Sequence, residues 1–130
     1  MKNILLVDDD NIFNFLNTKL LHQSGIAEEI HTALNGKEAL DLLNNYYTGA
    51  FALPDVILLD LNMPVMDGFT FLEAFKKLSL PRKEKVRIII VTSSDNPKDR
   101  AKAKEMGITL YLTKPLSKET LLDALQSTDS

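Results

Sequence analysis

Continuous apolar runs recur along the chain at Ile4 to Val7, Val56 to Leu59 and Ile88 to Val91. Runs without polar alternation suit central strands of a parallel sheet, which are covered on both faces. Glu29 to Ala33 is more mixed and Leu110 to Leu112 is short. Both read as edge strands, where one side stays in contact with water. Between these runs the pattern changes to a helical period. Ile12, Phe15, Leu16 and Leu20 fall on one face of a first helix, widened by Phe13 and Leu21, and that face is expected to pack on the sheet. Ala39, Leu42, Leu43 and Tyr46 predict a second helix, and Phe71, Leu72, Phe75 and Leu78 a third that follows Gly68. Asn96 before Pro97 is a cap followed by a residue suited to the first helical position, so a fourth helix starts there. A fifth opens at Ser117 and buries Leu121, Leu122 and Leu125.

Strand starts thus recur roughly every 20 to 30 residues, the length of a strand plus a crossover helix. Five such units fill residues 1–130 and predict an α/β domain, with a parallel sheet between two helical layers and no room for a second domain. The segment Asn44 to Pro54, with Tyr46, Tyr47 and Phe51, reads as a long loop or a small packed insertion and is assigned no chemistry.

Composition narrows the classes of function. Apolar residues make up 45% and charged residues 25% of the chain, with a net charge of -3, as in an ordinary soluble domain. No basic tract offers a footprint for a phosphate backbone, which argues against nucleic acid. The chain has no cysteine, so disulfides, thiol catalysis and cysteine-ligated zinc are excluded. The apolar run at the start, Ile4 to Val7, is far too short for a signal peptide or a membrane span, and the protein is expected to be cytoplasmic.

The polar groups then fall into place. In open α/β sheets, ligands bind beyond the carboxyl ends of the strands. The first strand ends in Asp8, Asp9 and Asp10, and the third in Asp60, with Asn62 two residues on. The fourth ends in Thr92, Ser93 and Ser94, and the fifth is followed by Lys114 and Pro115. Two carboxylates about 4 Å apart repel by roughly 4 kcal/mol at an effective dielectric near 20. Gathering Asp8, Asp9 and Asp60 without a cation would therefore be costly, or would force one of them to protonate, and a divalent metal with a lysine resolves the problem. Mg2+ suits hard oxygen ligands and a phosphoryl substrate, and Lys114 adds a mobile positive charge. Thr92 can donate a hydroxyl hydrogen bond to a phosphoryl oxygen. Taken singly, each feature has a simpler explanation: the three acids can cap the following helix, a role that suits Asp10 in particular. Their joint placement at one end of the sheet is what those simpler explanations do not predict.

The motifs ILLVDDD, LLDLNMPVMDG, IIIVTSS and YLTKPL, in this order and spacing, make the chain resemble the receiver domain of two-component response regulators over essentially its whole length. The resemblance implies a flavodoxin-like doubly wound (βα)5 fold with a five-stranded parallel sheet in the order 2-1-3-4-5. It implies Asp60 as phosphoacceptor, Asp9 as direct metal ligand, Asp8 as its partner, and Asn62 as a backbone-carbonyl ligand, with Mg2+ as the cofactor. Lys114 would pair with the carboxylate and then with the phosphoryl group, ahead of a cis bond to Pro115. Thr92 and Tyr111 would form the switch pair, and Gly68 would permit the tight backbone after the MPVMD segment.

The resemblance further implies a phosphoacceptor switch rather than an enzyme that turns over a substrate. A sensor histidine kinase or phosphotransfer protein would donate the phosphoryl group. An unidentified downstream protein would read the result through the fourth helix, fifth strand and fifth helix, or the phosphoryl group would be relayed onward, with the chain a monomer or weak dimer. The segment Pro97 to Met106 offers only Ala101, Ala103 and Met106 for burial, so that helix is expected to shift at low cost. Two other classes fit less well. An aspartyl-phosphate phosphatase wants a second acid two residues after the nucleophile, where this chain has Asn62. A flavin binder wants a hydroxyl- and glycine-rich loop where Asp8 to Asp10 would repel the flavin phosphate. An interaction module that is not phosphorylated remains the principal alternative.

Overall fold

The computed structural model describes residues 2–48 and 53–126. Residues 49–52, including Phe51 of the predicted insertion, and the last four residues lie outside that range. Five strands are present: β1 (Lys2–Val7), β2 (Ala27–Ala33), β3 (Val56–Leu59), β4 (Arg87–Thr92) and β5 (Leu110–Thr113). They alternate with α1 (Asn11–Gln23), α2 (Gly36–Asn44), α3 (Gly68–Lys77), α4 (Pro97–Glu105) and α5 (Lys118–Gln126). The sheet is wholly parallel, in the order β2-β1-β3-β4-β5. This is the doubly wound flavodoxin-like arrangement that the resemblance implies. A short 3-10 turn, Asn45–Thr48, extends α2, and Tyr46 packs against the core from it.

The apolar runs divide between two layers because successive strand residues point to opposite faces. Leu5, Val7, Ile57, Leu59 and Ile90 pack with Ala39, Leu43, Phe71, Leu72 and Phe75 of α2 and α3. Ile4, Leu6, Val56, Leu58, Ile89 and Val91 pack with Leu21 of α1 and with Leu121, Ala124 and Leu125 of α5. Burying side chains of this size contributes roughly 1.5–3 kcal/mol each. That surplus lets the same strands end in buried carboxylates.

One sequence expectation fails. Ile12, Phe15 and Leu16 are exposed, at 71%, 68% and 57% of their surface. α1 instead turns Phe13, Leu20 and Leu21 toward the α5 layer, with Asn14 buried on the same helix. The amide of Asn14 donates a hydrogen bond of 2.8 Å to the carbonyl of Asp8. A polar residue is therefore required at a position where an apolar pattern would place a hydrophobe.

α4 is the least embedded helix. Ala103 is its one buried residue, as the sparse apolar pattern predicts. Polar contacts hold the remainder: Ser94 Oγ donates to Asp99 Oδ2 at 2.6 Å, and the Arg100 guanidinium lies 4.4 Å from the centre of the Tyr111 ring. Arg100 also donates to Thr113 Oγ1 at 3.2 Å. Among the described residues, no helix is long and apolar enough to cross a membrane.

Candidate functional site

Strand register brings the polar ends together. Val7 of β1 pairs with Leu59 of β3, so Asp8 and Asp60 emerge side by side, one residue further on. Asp8 is held by its N–H to the Ala33 carbonyl at 3.0 Å, and Asp60 by its N–H to the Val7 carbonyl at 2.9 Å. Thr92 pairs with Thr113 across β4 and β5, and the Lys114 N–H donates to the Thr92 carbonyl at 2.8 Å. Lys114 is thereby set at the same end of the sheet as the acids.

Asp8, Asp9 and Asp60 can each present an oxygen within 4.8 Å of the others. Asp8 and Asp60 are buried, and Asp9 is exposed at the mouth. Lys114 Nζ lies 2.6 Å from Asp8 Oδ2 and 3.9 Å from Asp60 Oδ2. The Leu61 N–H donates to Asp60 Oδ1 at 2.8 Å, which leaves Oδ2 on the lysine side. Burial pushes the Asp8 carboxyl above the ordinary carboxylate range, and the Asp60 charge adds to this. The hydrogen bonds from Lys114 and from the Asp10 N–H pull the other way. Burial outweighs them because one ammonium is shared between two carboxylates and cannot offset their desolvation in full. Such a cluster of hard oxygen donors, with more negative charge than its lysine balances, fits a divalent cation.

Asp10 stands apart from this group. Its Oδ1 accepts from the N–H groups of Ile12 and Phe13 at 2.9 and 3.1 Å, so it caps α1 as the simpler explanation holds. Thr92 is fully buried, and its Oγ1 accepts from the Ser94 N–H at 3.3 Å. Tyr111 is farther out on β5, where its hydroxyl donates to the Ser94 carbonyl at 2.8 Å. Both members of the expected switch pair therefore meet the loop between β4 and α4. Asn62 is exposed in the loop after β3, and the Lys114–Pro115 bond is cis.

The left-handed residue of the loop between β3 and α3 is Val65, at φ 70°. Gly68 is instead required by close approach: an added Cβ would collide with the Asp60 carbonyl oxygen and come within 2.9 Å of Leu61 Cα. These are backbone atoms, so no rotamer change relieves the clash. Gly68→Ala is expected to cost about 1–3 kcal/mol in urea unfolding.

Sequence reasoning missed Phe13 at this site. Lys114 Nζ lies 4.2 Å from the centre of its ring. The residue reads as one more apolar position on α1, and nothing in a linear pattern signals a contact with a lysine that follows β5.

A family model for the response regulator receiver domain matches residues 4–126. The probable transcriptional regulator ycf29 of Porphyra purpurea is 33% identical over 125 residues, covering 96% of this chain and 55% of that protein. Protein PilH of Pseudomonas aeruginosa is 32% identical over 128 residues, covering 98% and 97%. A crystal structure of a two-component response regulator from Cytophaga hutchinsonii superposes with a TM-score of 0.83 at 35% identity, covering 97% of this chain and 95% of that one. The chain thus spans about half the length of the first relative and nearly all of the second.

Proposed function

The chain belongs to the response regulator receiver family, whose mechanism is phosphorylation of an aspartate, and on that premise we propose that Asp60 is the acceptor. The observation that carries this is the pairing of a buried carboxylate, fixed at Oδ1 by the Leu61 amide, with Lys114 3.9 Å from Oδ2. The Asp60 carboxylate attacks the phosphorus of a phosphohistidine on a sensor kinase or phosphotransfer protein. The phosphorus–nitrogen bond breaks, an acyl phosphate forms on Asp60, and the histidine leaves with the electron pair. Lys114 moves from Asp8 toward the new phosphoryl oxygens, and the Thr92 hydroxyl donates to one of them. Asp8, Asp9 and Asp60, with the Asn62 carbonyl, would hold Mg2+, which would supply positive charge against the transferring oxygens. Hydrolysis of the acyl phosphate resets the switch, and Thr92 and Tyr111 pass its state through the loop between β4 and α4 to a downstream protein.

The test is direct. Acetyl phosphate with Mg2+ should add one phosphoryl group, detectable by intact mass, on the peptide that contains Asp60, and chelation by EDTA should prevent it. An unlabelled chain would overturn this reading and leave an interaction module in its place.

The protein donor has a natural place to dock. α1 begins two residues after Asp9 and leaves Ile12, Phe15 and Leu16 exposed, an apolar patch beside the acid mouth. Phe15→Glu is expected to slow transfer from a phosphohistidine protein at least about tenfold, the cost of losing one buried aromatic anchor. Labelling by acetyl phosphate should be unchanged. Equal rates with both donors would remove α1 from the docking surface.

A further inference from the structure

Among the described residues, Lys114 Nζ lies 2.6 Å from the Asp8 carboxylate, 3.9 Å from the Asp60 carboxylate and 4.2 Å from the centre of the Phe13 ring. The two carboxylates have other obligations. Both belong to the cluster that suits a cation, and Asp60 changes its charge and shape when it accepts a phosphoryl group. A cation held in that cluster would compete with Lys114 for the Asp8 carboxylate. The ring is the neighbour unaffected by these events. It carries no charge and offers no oxygen to a hard cation, yet its electron-rich face attracts an ammonium.

The position of Phe13 is itself braced on both sides. Its N–H donates to Asp10 Oδ1 at 3.1 Å, and its carbonyl accepts from Asn17 Nδ2 at 2.8 Å. The ring packs into the layer between α1, α5 and the sheet. A lysine side chain, by contrast, is a point charge on a flexible four-carbon stem. Left to itself, it would spread over many rotamers once released from Asp8.

We propose that Phe13 is a positioning residue for the phosphoryl-transfer reaction: its ring face keeps the Lys114 ammonium at the site while the lysine passes from Asp8 to the phosphoryl group on Asp60. The proposal rests on Asp60 being the acceptor. It also links α1 to the reacting centre, because Phe13 lies on the helix whose outer face is Ile12, Phe15 and Leu16.

The experiment compares the wild type with Phe13→Leu, which keeps apolar bulk but removes the ring, and with Phe13→Tyr, which keeps the ring. Each is made with Lys114 intact and with Lys114→Met. Without any phosphodonor, the ε-methylene protons of Lys114 should be displaced upfield by the ring in the wild type and in Phe13→Tyr. They should return to the ordinary lysine position in Phe13→Leu. With acetyl phosphate and saturating Mg2+, Phe13→Leu should lower the maximal labelling rate about threefold to tenfold, the loss of one cation–ring contact. Mg2+ affinity should stay the same, and Phe13→Tyr should restore the rate. In the Lys114→Met background, Phe13→Leu should cause no further loss.

A wild-type rate in Phe13→Leu would overturn the proposal. So would a Phe13→Tyr variant as slow as Phe13→Leu, or an equal loss in both Lys114 backgrounds. Each of these leaves wild-type labelling intact, whereas an unlabelled wild type overturns the acceptor reading and the proposal together.

Discussion

Asp60→Asn is expected to abolish labelling by acetyl phosphate entirely, while making the metal-free protein more stable. The first effect follows from chemistry, since a carboxamide is not a nucleophile toward phosphorus. The second follows from charge. Asparagine keeps an oxygen for the Leu61 N–H, now satisfied at 2.8 Å, but removes one of the two buried carboxylates that share Lys114. Relief of that repulsion should be worth roughly 1–2 kcal/mol, a rise of a few degrees in Tm in the presence of EDTA. The pH dependence has a definite sign. Burial holds the Asp8 carboxyl above its ordinary range, and Asp60 raises it further. Asp8 therefore favours folding most when it is protonated, and that contribution is lost as pH rises through its elevated value. Asp60→Asn removes one cause of the elevation, so metal-free stability should fall less steeply above the ordinary carboxylate range. Thermal melts of both proteins from about pH 4 to about pH 8 read the difference. A phosphoryl label that persists in the Asp60→Asn variant, mapped elsewhere on the chain, would displace Asp60 from its role.

Lys114→Met should act in the opposite direction on stability and in the same direction on chemistry. Removing a positive group aimed at developing phosphoryl charge costs about 100-fold to 1000-fold in comparable sites. The same change strips Asp8 of its partner at 2.6 Å while Asp8 remains only 2% exposed. Breaking a fully buried pair costs about 3–5 kcal/mol. Lys114 itself keeps 20% of its side chain in water, so about 2 kcal/mol is expected here. Saturating Mg2+ should recover part of that loss by supplying the missing charge. Urea unfolding with and without Mg2+ measures both. Combining Lys114→Met with Asp60→Asn should destabilise less than the sum of the separate effects, as residues that share one charge network do. Additive effects would mean that the three groups are not coupled.

The scaffold and the acid cluster are legible in the sequence for related reasons. Val56 to Leu59 and Ile88 to Val91 have no polar alternation because both of their faces are covered, and a run of that kind belongs at the centre of a sheet. Once the strands are placed, the ends of β1, β3, β4 and β5 have to meet at one edge, and Asp8, Asp60, Thr92 and Lys114 come with them. α1 misleads because amphipathic reasoning assumes that burial and hydrophobicity coincide. At Asn14 they do not: a buried amide serves the Asp8 carbonyl, and the apolar residues Ile12, Phe15 and Leu16 lie outside. The contact between Phe13 and Lys114 joins the first helix to the loop after the last strand, at a distance fixed by strand order and helix rotation together. Gly68 stands out in the sequence as a constrained position, but the cause of the constraint does not. Close approach of Asp60 is a tertiary fact that a loop motif does not contain.

The attachment of α4 has a mechanical consequence. β1 and β3 are clamped between helices on both sides and cannot yield without opening the core. α4 is tethered by a single buried alanine and by polar contacts among Ser94, Asp99, Arg100 and Tyr111 near the surface. The molecule is therefore tightly packed around Asp60 and compliant at one margin. On the proposed mechanism, a disturbance at Asp60 is expected to be relieved where resistance is least, at α4.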